Sequence, residues 1–91
     1  MVRELNAIFS GVVQGVLFRA TVKKHADHLG LVGTVKNLDD GSVELVLHGS
    51  EKEIEIFLDN LKKSPGSARI HSIEHHISEP KKKYKSFNII Y

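Results

Sequence analysis

The sequence predicts an α+β fold: a ferredoxin-like βαββαβ sandwich, with two helices on one face of an antiparallel or mixed sheet and a fifth strand at the C-terminus. Two segments carry apolar residues at helical spacing, and five shorter segments have the pattern of strands. They follow one another in the order strand, helix, strand, strand, helix, strand, strand. In a chain of 91 residues, two helices cannot cover both faces of such a sheet. A single domain over residues 1–91 is therefore expected.

The first strand is predicted over residues 6–13 and the first helix from about Phe18 to Leu29. The strand has apolar side chains on both faces, which is typical of a strand covered on both sides or of one covered mainly on one. Gly30 stands where a left-handed residue would end the helix, and Leu31 would then fold back on its last turn. The apolar stripe of the helix is formed by Phe18, Val22, Ala26 and Leu29.

A hairpin is predicted next, with strands over residues 32–37 and from residue 43 onward, joined by the turn Leu38–Gly41. The second helix is expected to begin at a capping box formed by Ser50 and Glu53. Its apolar face comprises Ile54, Phe57, Leu58 and Leu61. The fourth strand is predicted over Arg69 to Ile77, and the alternation of Phe87, Ile89 and Tyr91 predicts the fifth.

Composition narrows the class of protein. The net charge of +2 is too small to argue for nucleic-acid binding. The absence of cysteine excludes a thiolate nucleophile and a cysteine-based metal site. No apolar run approaches the ~20 residues that span a bilayer, and the charged N-terminus lacks the apolar stretch of a secretory signal. A cytoplasmic protein without membrane association is therefore expected. The lysine cluster (Lys81, Lys82, Lys83 and Lys85) is predicted to be a solvated loop, with an anionic-partner surface as the alternative.

The segment between the first strand and the first helix is the candidate chemical site. A glycine-punctuated turn before a helix gathers main-chain N–H groups in one concavity, and the helix N-terminus adds its positive end. Arg19 enters the first turn of the helix with a guanidinium that can grip two phosphate oxygens. Spacing alone leaves open an ordinary turn followed by a surface arginine. The predicted phosphate-binding residues are Gln14, Gly15, Val16, Leu17, Phe18 and Arg19.

Known phosphate loops do not match this segment. A Walker loop requires Gly, four residues and then Gly-Lys-Ser/Thr, which is absent. A thiolate phosphatase loop would place cysteine where this chain has Val13, so no phosphocysteine can form.

Two blocks of the sequence do resemble the acylphosphatase family. Residues 11–19, GVVQGVLFR, are similar to the family's common form Gly-x-Val-Gln-Gly-Val-x-Phe-Arg. Residues 33–44, GTVKNLDDGSVE, followed by Gly49, resemble its second block. The resemblance covers nearly the whole chain. It implies a ferredoxin-like fold and an enzyme, a hydrolase of acyl phosphates that releases inorganic phosphate. It implies no metal, cofactor or covalent intermediate.

The resemblance also implies roles for individual residues. Arg19 matches the family's phosphate-binding arginine, Asn37 matches its water-orienting asparagine, and residues 15–19 match the loop whose amides cradle the phosphate. The residues alone would favour a turn role for Asn37. Thr34 replaces a usual aromatic residue, and Leu17 occupies a variable position that is often glycine. A bulky Leu17 could narrow or redirect access to the acyl group, so these departures concern substrate preference and rate.

Other chemistries fit the sequence less well. The six histidines match no metal-ligand pattern, although His25 and His28 are spaced to lie near one another on the first helix. Ser10 and Ser42 lack a histidine–carboxylate relay. The phenylalanines fall on core faces rather than on a base-stacking platform, so no nucleic-acid partner is expected. The expected state is a monomer acting on a small acyl phosphate. An RNA-binding module and a non-catalytic phosphate-binding relative of the family remain as alternatives.

Overall fold

The computed structural model describes residues 1–91 as one five-stranded sheet and two helices, in the predicted order. The elements are β1 (Arg3–Val12), α1 (Phe18–His28), β2 (Val32–Asn37), β3 (Val43–Gly49), α2 (Glu51–Lys63), β4 (Arg69–Ser78) and β5 (Phe87–Ile90). Neither helix has the length and apolar character needed to cross a membrane.

The sheet is mixed, with the strand order β4-β1-β3-β2-β5. All neighbouring strands are antiparallel except β2 and β5, which run parallel. The first four strands have the order of a ferredoxin-like sandwich, and β5 extends the sheet at the β2 edge. Because β5 also contacts α1, the end of the chain lies beside the helix that follows the glycine-punctuated turn.

The core lies between the helices and one face of the sheet. Leu5, Ala7 and Phe9 of β1 are all buried, and they pair in register with Leu47, Leu45 and Val43 of β3. The predicted apolar residues of α2 are buried in the same cluster. On the opposite face of β1, Ile8 is only partly buried, and Val12 is 48% exposed. The first strand is therefore covered mainly on one side, the second of the two sequence-based alternatives.

Local chemistry sets the helix ends as predicted. Ser50 Oγ accepts a hydrogen bond from the Glu53 N–H, and the Glu53 carboxylate accepts one from the Ser50 N–H, which completes the capping box. Gly30 has φ 69°, and its N–H donates to the Asp27 carbonyl while the Leu31 N–H donates to the Ala26 carbonyl. This pair of bonds is a Schellman motif.

Element boundaries differ from the prediction at five places. β1 ends at Val12 rather than at residue 13, and β4 ends at Ser78 rather than at Ile77. β1 begins at Arg3 because the polar residues Arg3 and Glu4 pair with the end of β3, which side-chain periodicity cannot reveal. α1 ends at His28, with Leu29 as its C-cap. β5 ends at Ile90, so Tyr91 lies beyond the strand rather than in it.

The connection from β4 to β5 covers part of the sheet face that carries no helix. Its lysine cluster is exposed between the two strands, as predicted for a solvated loop. The main-chain N–H of Lys81 donates to the Glu4 carboxylate, and the Tyr84 ring contacts the edge of the His48 ring, with 5.0 Å between centroids. These contacts fix the connection over a buried Glu4–His48 pair.

Candidate active site

The connection from β1 to α1 has an unusual backbone. Gly15 has φ 73°, and Leu17, the N-cap of α1, has φ 60°. Leu17 is the only non-glycine residue with positive φ in the chain, and this conformation costs an L-residue roughly 1–2 kcal/mol. The connection begins at a register shift where Gly11 has φ 130°, and a Cβ there would lie 2.3 Å from the Arg69 carbonyl oxygen. Glycine is therefore required at residue 11 for the strand to turn into the loop.

The main-chain N–H groups from Gly15 to Arg19 donate to no other group of the protein. The turn is followed directly by α1, whose first turn contains no acidic residue and whose N-cap makes no side-chain bond. A run of unpaired N–H groups at the positive end of a helix is suited to bind an anion.

A cavity of about 240 Å³ opens beside this turn. It is lined by Val13, Gly15, Leu17, Phe18, Arg19, Ala20, Asn37, Ile89 and Tyr91. The fold thus brings together the loop, the first turn of α1, the end of β2 and the end of the chain. Of the residues predicted from sequence, Arg19 and Asn37 share this cavity with Gly15, Leu17 and Phe18. Gln14 and Val16 are not part of its lining.

Arg19 is partly buried and is held from the side of β5. Its Nη1 donates to the Ile90 carbonyl at 3.4 Å, and its guanidinium carbon lies 4.7 Å from the centroid of the Tyr91 ring. A ring at this distance attracts the guanidinium as a cation–π partner. The 3.4 Å contact is long for an N–H···O bond, so most of the donor capacity of the guanidinium remains available to a ligand.

Asn37, the last residue of β2, presents an unpaired carboxamide. Its Oδ1 is buried and accepts no hydrogen bond, and its Nδ2 donates to no protein group. Leaving a buried polar group unpaired costs roughly 1–3 kcal/mol, so such a group calls for a specific explanation. A ligand or a water molecule in the cavity supplies one.

Gln14 ties the loop to the β2–β3 turn. Its Nε2 donates to the carbonyl oxygens of Leu38 and Ser42, each at 2.8 Å. The side chain is therefore committed to the turn that follows Asn37 and can reach an anion only through its main chain. Val16 packs against the core.

No carboxylate or imidazole side chain lines the cavity. The Asp40 carboxylate accepts hydrogen bonds from the hydroxyl and the main-chain N–H of Ser42, and these bonds lower the pKa of Asp40. Two histidines lie elsewhere in polar contacts: His25 Nε2 is 2.8 Å from the Ser64 carbonyl oxygen, and His48 contacts Glu4. No three of the His, Asp and Glu side chains are grouped to hold a metal ion.

Sequence reasoning missed two parts of this arrangement. Tyr91 and the Ile90 carbonyl contact Arg19, and nothing in the alternation of the last strand indicates it. The Gln14 tether also spans 24 and 28 residues along the chain. The contact of Tyr91 and Ile90 with Arg19 could have been found only from the parallel pairing of β5 with β2, which brings the last strand next to α1.

The fold and the site together define a class: a small α+β sandwich with an anion-binding loop, an arginine and an unpaired asparagine in one cavity. Comparison with known proteins narrows the class. The family model for acylphosphatase matches residues 5–89. The acylphosphatase of Thermus thermophilus is 46% identical over 70 residues, covering 77% of this chain and 80% of that protein.

Solved structures agree with the sequence comparison. The crystal structure of acylphosphatase from Bacillus subtilis matches with a TM-score of 0.91 and 34% identity, covering 100% of both chains. An acylphosphatase from Coxiella burnetii matches with a TM-score of 0.86 and 35% identity, covering 98% of this chain and 93% of that chain. The chain belongs to the acylphosphatase family, a family of hydrolases.

Proposed function

We propose that the protein hydrolyses the carboxyl–phosphate bond of acyl phosphates, without a metal or a covalent intermediate. The observation that carries the proposal is the unpaired Asn37 carboxamide, which shares one cavity with Arg19 and with a loop of unpaired N–H groups. The cavity also lacks carboxylate, imidazole and thiolate side chains, the usual protein ligands of a catalytic metal.

The phosphate is bound by the N–H groups of residues 15–19 and by the Arg19 guanidinium. Phosphoryl transfer has a loose transition state, with negative charge spread over the phosphate oxygens. Donors already fixed around those oxygens stabilise this charge without reorganising. The Tyr91 ring beside the Arg19 guanidinium and the hydrogen bond from Nη1 to the Ile90 carbonyl favour one position for the guanidinium.

Asn37 places the attacking water. A carboxamide can accept and donate hydrogen bonds but does not titrate near neutrality, so it orients water rather than removing its proton. The water oxygen bonds to phosphorus as the bond between phosphorus and the acyl oxygen breaks. The electron pair of the broken bond stays on the acyl oxygen, which leaves as part of the carboxylate. The proton of the water passes to a phosphate oxygen, so the substrate is its own base.

The leaving group explains why the cavity needs no acid. A carboxylate has a pKa of about 4 and departs as a stable anion. An alkoxide leaving group would require a proton donor, and no carboxylic acid or imidazole side chain lines the cavity. Phosphate monoesters are therefore expected to be poor substrates.

We also propose that the chain works as a monomer and as one domain over residues 1–91, since a single hydrophobic core joins its elements and the phosphate donors already meet in one cavity without a second copy. A cytoplasmic location is part of the same proposal, because a chain without cysteine needs no oxidising compartment. Specific activity that is independent of protein concentration, with a monomer mass by light scattering, would support the first part.

The direct test is hydrolysis of benzoyl phosphate in the presence of excess chelator. We expect turnover to persist and inorganic phosphate to inhibit competitively. Phosphate binding without turnover would instead favour a non-catalytic relative, and retention of RNA without turnover would favour a nucleic-acid-binding module. Either result would contradict the proposal.

A further inference from the structure

Two large apolar side chains border the candidate active site although they are almost fully exposed. Leu17 is 81% exposed and Tyr91 is 95% exposed, and both line the cavity that contains Arg19. Neither belongs to the hydrophobic core. Their position beside the cavity, rather than their exposure alone, makes them candidates for ligand contact.

Leu17 contributes little to the fold at its position. Its left-handed backbone would be relieved by glycine, and its side chain lies largely in solvent. The backbone strain at Leu17 opposes folding, and the exposed side chain buries too little apolar surface to offset it. Strain of this kind is typical of functional sites.

Tyr91 is held in place without being buried. Its ring stacks on the Arg19 guanidinium at 4.7 Å, and Ile89, two residues earlier, is half-buried and lines the same cavity. The lining therefore has two chemical parts. Gly15, Arg19 and Asn37 offer polar groups to a phosphate, and the side chains from positions 17, 89 and 91 offer apolar surface.

We propose that Leu17, Ile89 and Tyr91 form a subsite for the acyl group, selecting acyl phosphates with aromatic or branched apolar acyl groups. This inference rests on the proposed function, because the polar part of the cavity must hold the phosphate. Arg19 is the only cationic side chain in the lining, so an acyl group that bears a second phosphate finds no separate partner. A small acyl group leaves the apolar surface uncovered.

The test compares kcat/KM for benzoyl phosphate and acetyl phosphate in the wild-type chain and in Leu17→Gly. Removing the Leu17 side chain should lower the ratio of the benzoyl phosphate value to the acetyl phosphate value by about 5- to 10-fold, whereas any effect on the phosphate loop itself acts on both substrates alike. Because only the change in the ratio is used, the different intrinsic reactivity of the two substrates cancels. Glycine suits φ 60°, so this variant is expected to fold.

Tyr91→Ala and Tyr91→Leu separate two effects of the ring. Alanine removes the apolar surface and should lower the benzoyl-to-acetyl ratio by about 5-fold. Leucine keeps apolar surface but loses the stacking on Arg19. It should therefore lower kcat/KM for benzoyl phosphate and for acetyl phosphate together and preserve their ratio. Ile56→Ala is the matched control, because Ile56 is an exposed apolar residue of α2 that lies outside the cavity.

Binding of two phosphonate analogues, one with a benzoyl and one with an acetyl group, gives a readout that does not need turnover. A preference for the benzoyl analogue that Leu17→Gly reduces supports the subsite. If the wild-type chain binds that analogue with this preference but hydrolyses neither substrate, the proposed function fails and the subsite stands. If hydrolysis proceeds but the ratio is the same in wild type, Leu17→Gly and Tyr91→Ala, the subsite is wrong and the proposed function stands.

Discussion

His48 Nε2 lies 3.0 Å from Glu4 Oε1 on the sheet face that carries no helix, and the two residues are 7% and 3% exposed. Burial by itself raises the pKa of Glu4. The hydrogen bonds from Asn6, His48 and the Lys81 N–H outweigh that effect and hold the pKa below its ordinary value of 4.5. The pair therefore joins β1, β3 and the β4–β5 connection by charge and hydrogen bonding rather than by apolar packing.

Acid should weaken the fold through Glu4. Its pKa is lower in the folded chain than in the unfolded chain, so its stabilisation is complete above the ordinary value of 4.5 and is lost as pH falls through the folded pKa. We expect the urea midpoint of the wild-type chain to fall as the pH is lowered below the ordinary value of 4.5. Glu4→Gln should be less stable at neutral pH by about 1–3 kcal/mol and should show a smaller change with pH. Equal pH dependence in the two proteins would contradict this role.

Arg19→Ala should abolish phosphate binding and lower kcat/KM for benzoyl phosphate by about 1,000-fold or more, because the charge on the transferring group loses its guanidinium partner. The circular dichroism spectrum and unfolding midpoint should stay close to wild type, since Arg19 lies outside the core. The control is Arg69→Ala, which removes an exposed arginine from β4, away from this cavity. Phosphate binding that survives in Arg19→Ala would refute the assignment.

Asn37→Ala should separate binding from turnover. Turnover should fall at least about 100-fold because the attacking water is no longer oriented, while the inhibition constant for phosphate stays within about 3-fold. The variant should be as stable as wild type or more stable by about 1 kcal/mol, because it removes a buried oxygen that has no partner. Asn60→Ala, outside the cavity, is the control. Wild-type turnover in Asn37→Ala would show that its role is wrong.

Gln14→Ala should loosen the phosphate loop from the β2–β3 turn. Two hydrogen bonds are lost, so unfolding should become easier by about 1–2 kcal/mol. We expect phosphate to bind more weakly, with a higher KM for benzoyl phosphate, since the loop must be ordered by the ligand. Urea unfolding and steady-state kinetics measure the two effects. A change in stability with unaltered KM would limit Gln14 to a structural role.

The sequence predicted those parts of the fold that depend on neighbouring residues. The Ser50–Glu53 capping box, the Gly30 helix end and the β2–β3 hairpin each follow from chemistry within a few positions. The start of β1 escaped prediction because two of the partners of buried Glu4 are residues 48 and 81, which lie far along the chain. Burial of a charged residue depends on distant groups that the local pattern does not contain.

The candidate site shows the same division. The glycine-punctuated turn and Arg19 are contiguous in sequence and could be found there. The role of Asn37 is ambiguous in the sequence, because an asparagine before a turn is explained by the turn itself. Only the unpaired carboxamide in the cavity argues for a role in ligand binding. Tyr91 reaches Arg19 through the parallel pairing of β5 with β2, a contact between residues far apart in the chain.

The Gln14 tether limits how the β2–β3 turn of this chain can be changed. Its two acceptors are the carbonyls of Leu38 and Ser42, which every amino acid can supply, and the exposed side chains of Asp39 and Asp40 do not line the cavity. Substitution in this turn is therefore tolerated wherever the backbone path is kept. Insertion or deletion of a residue would displace one or both carbonyls, so the tether constrains the length of the turn more than its side chains.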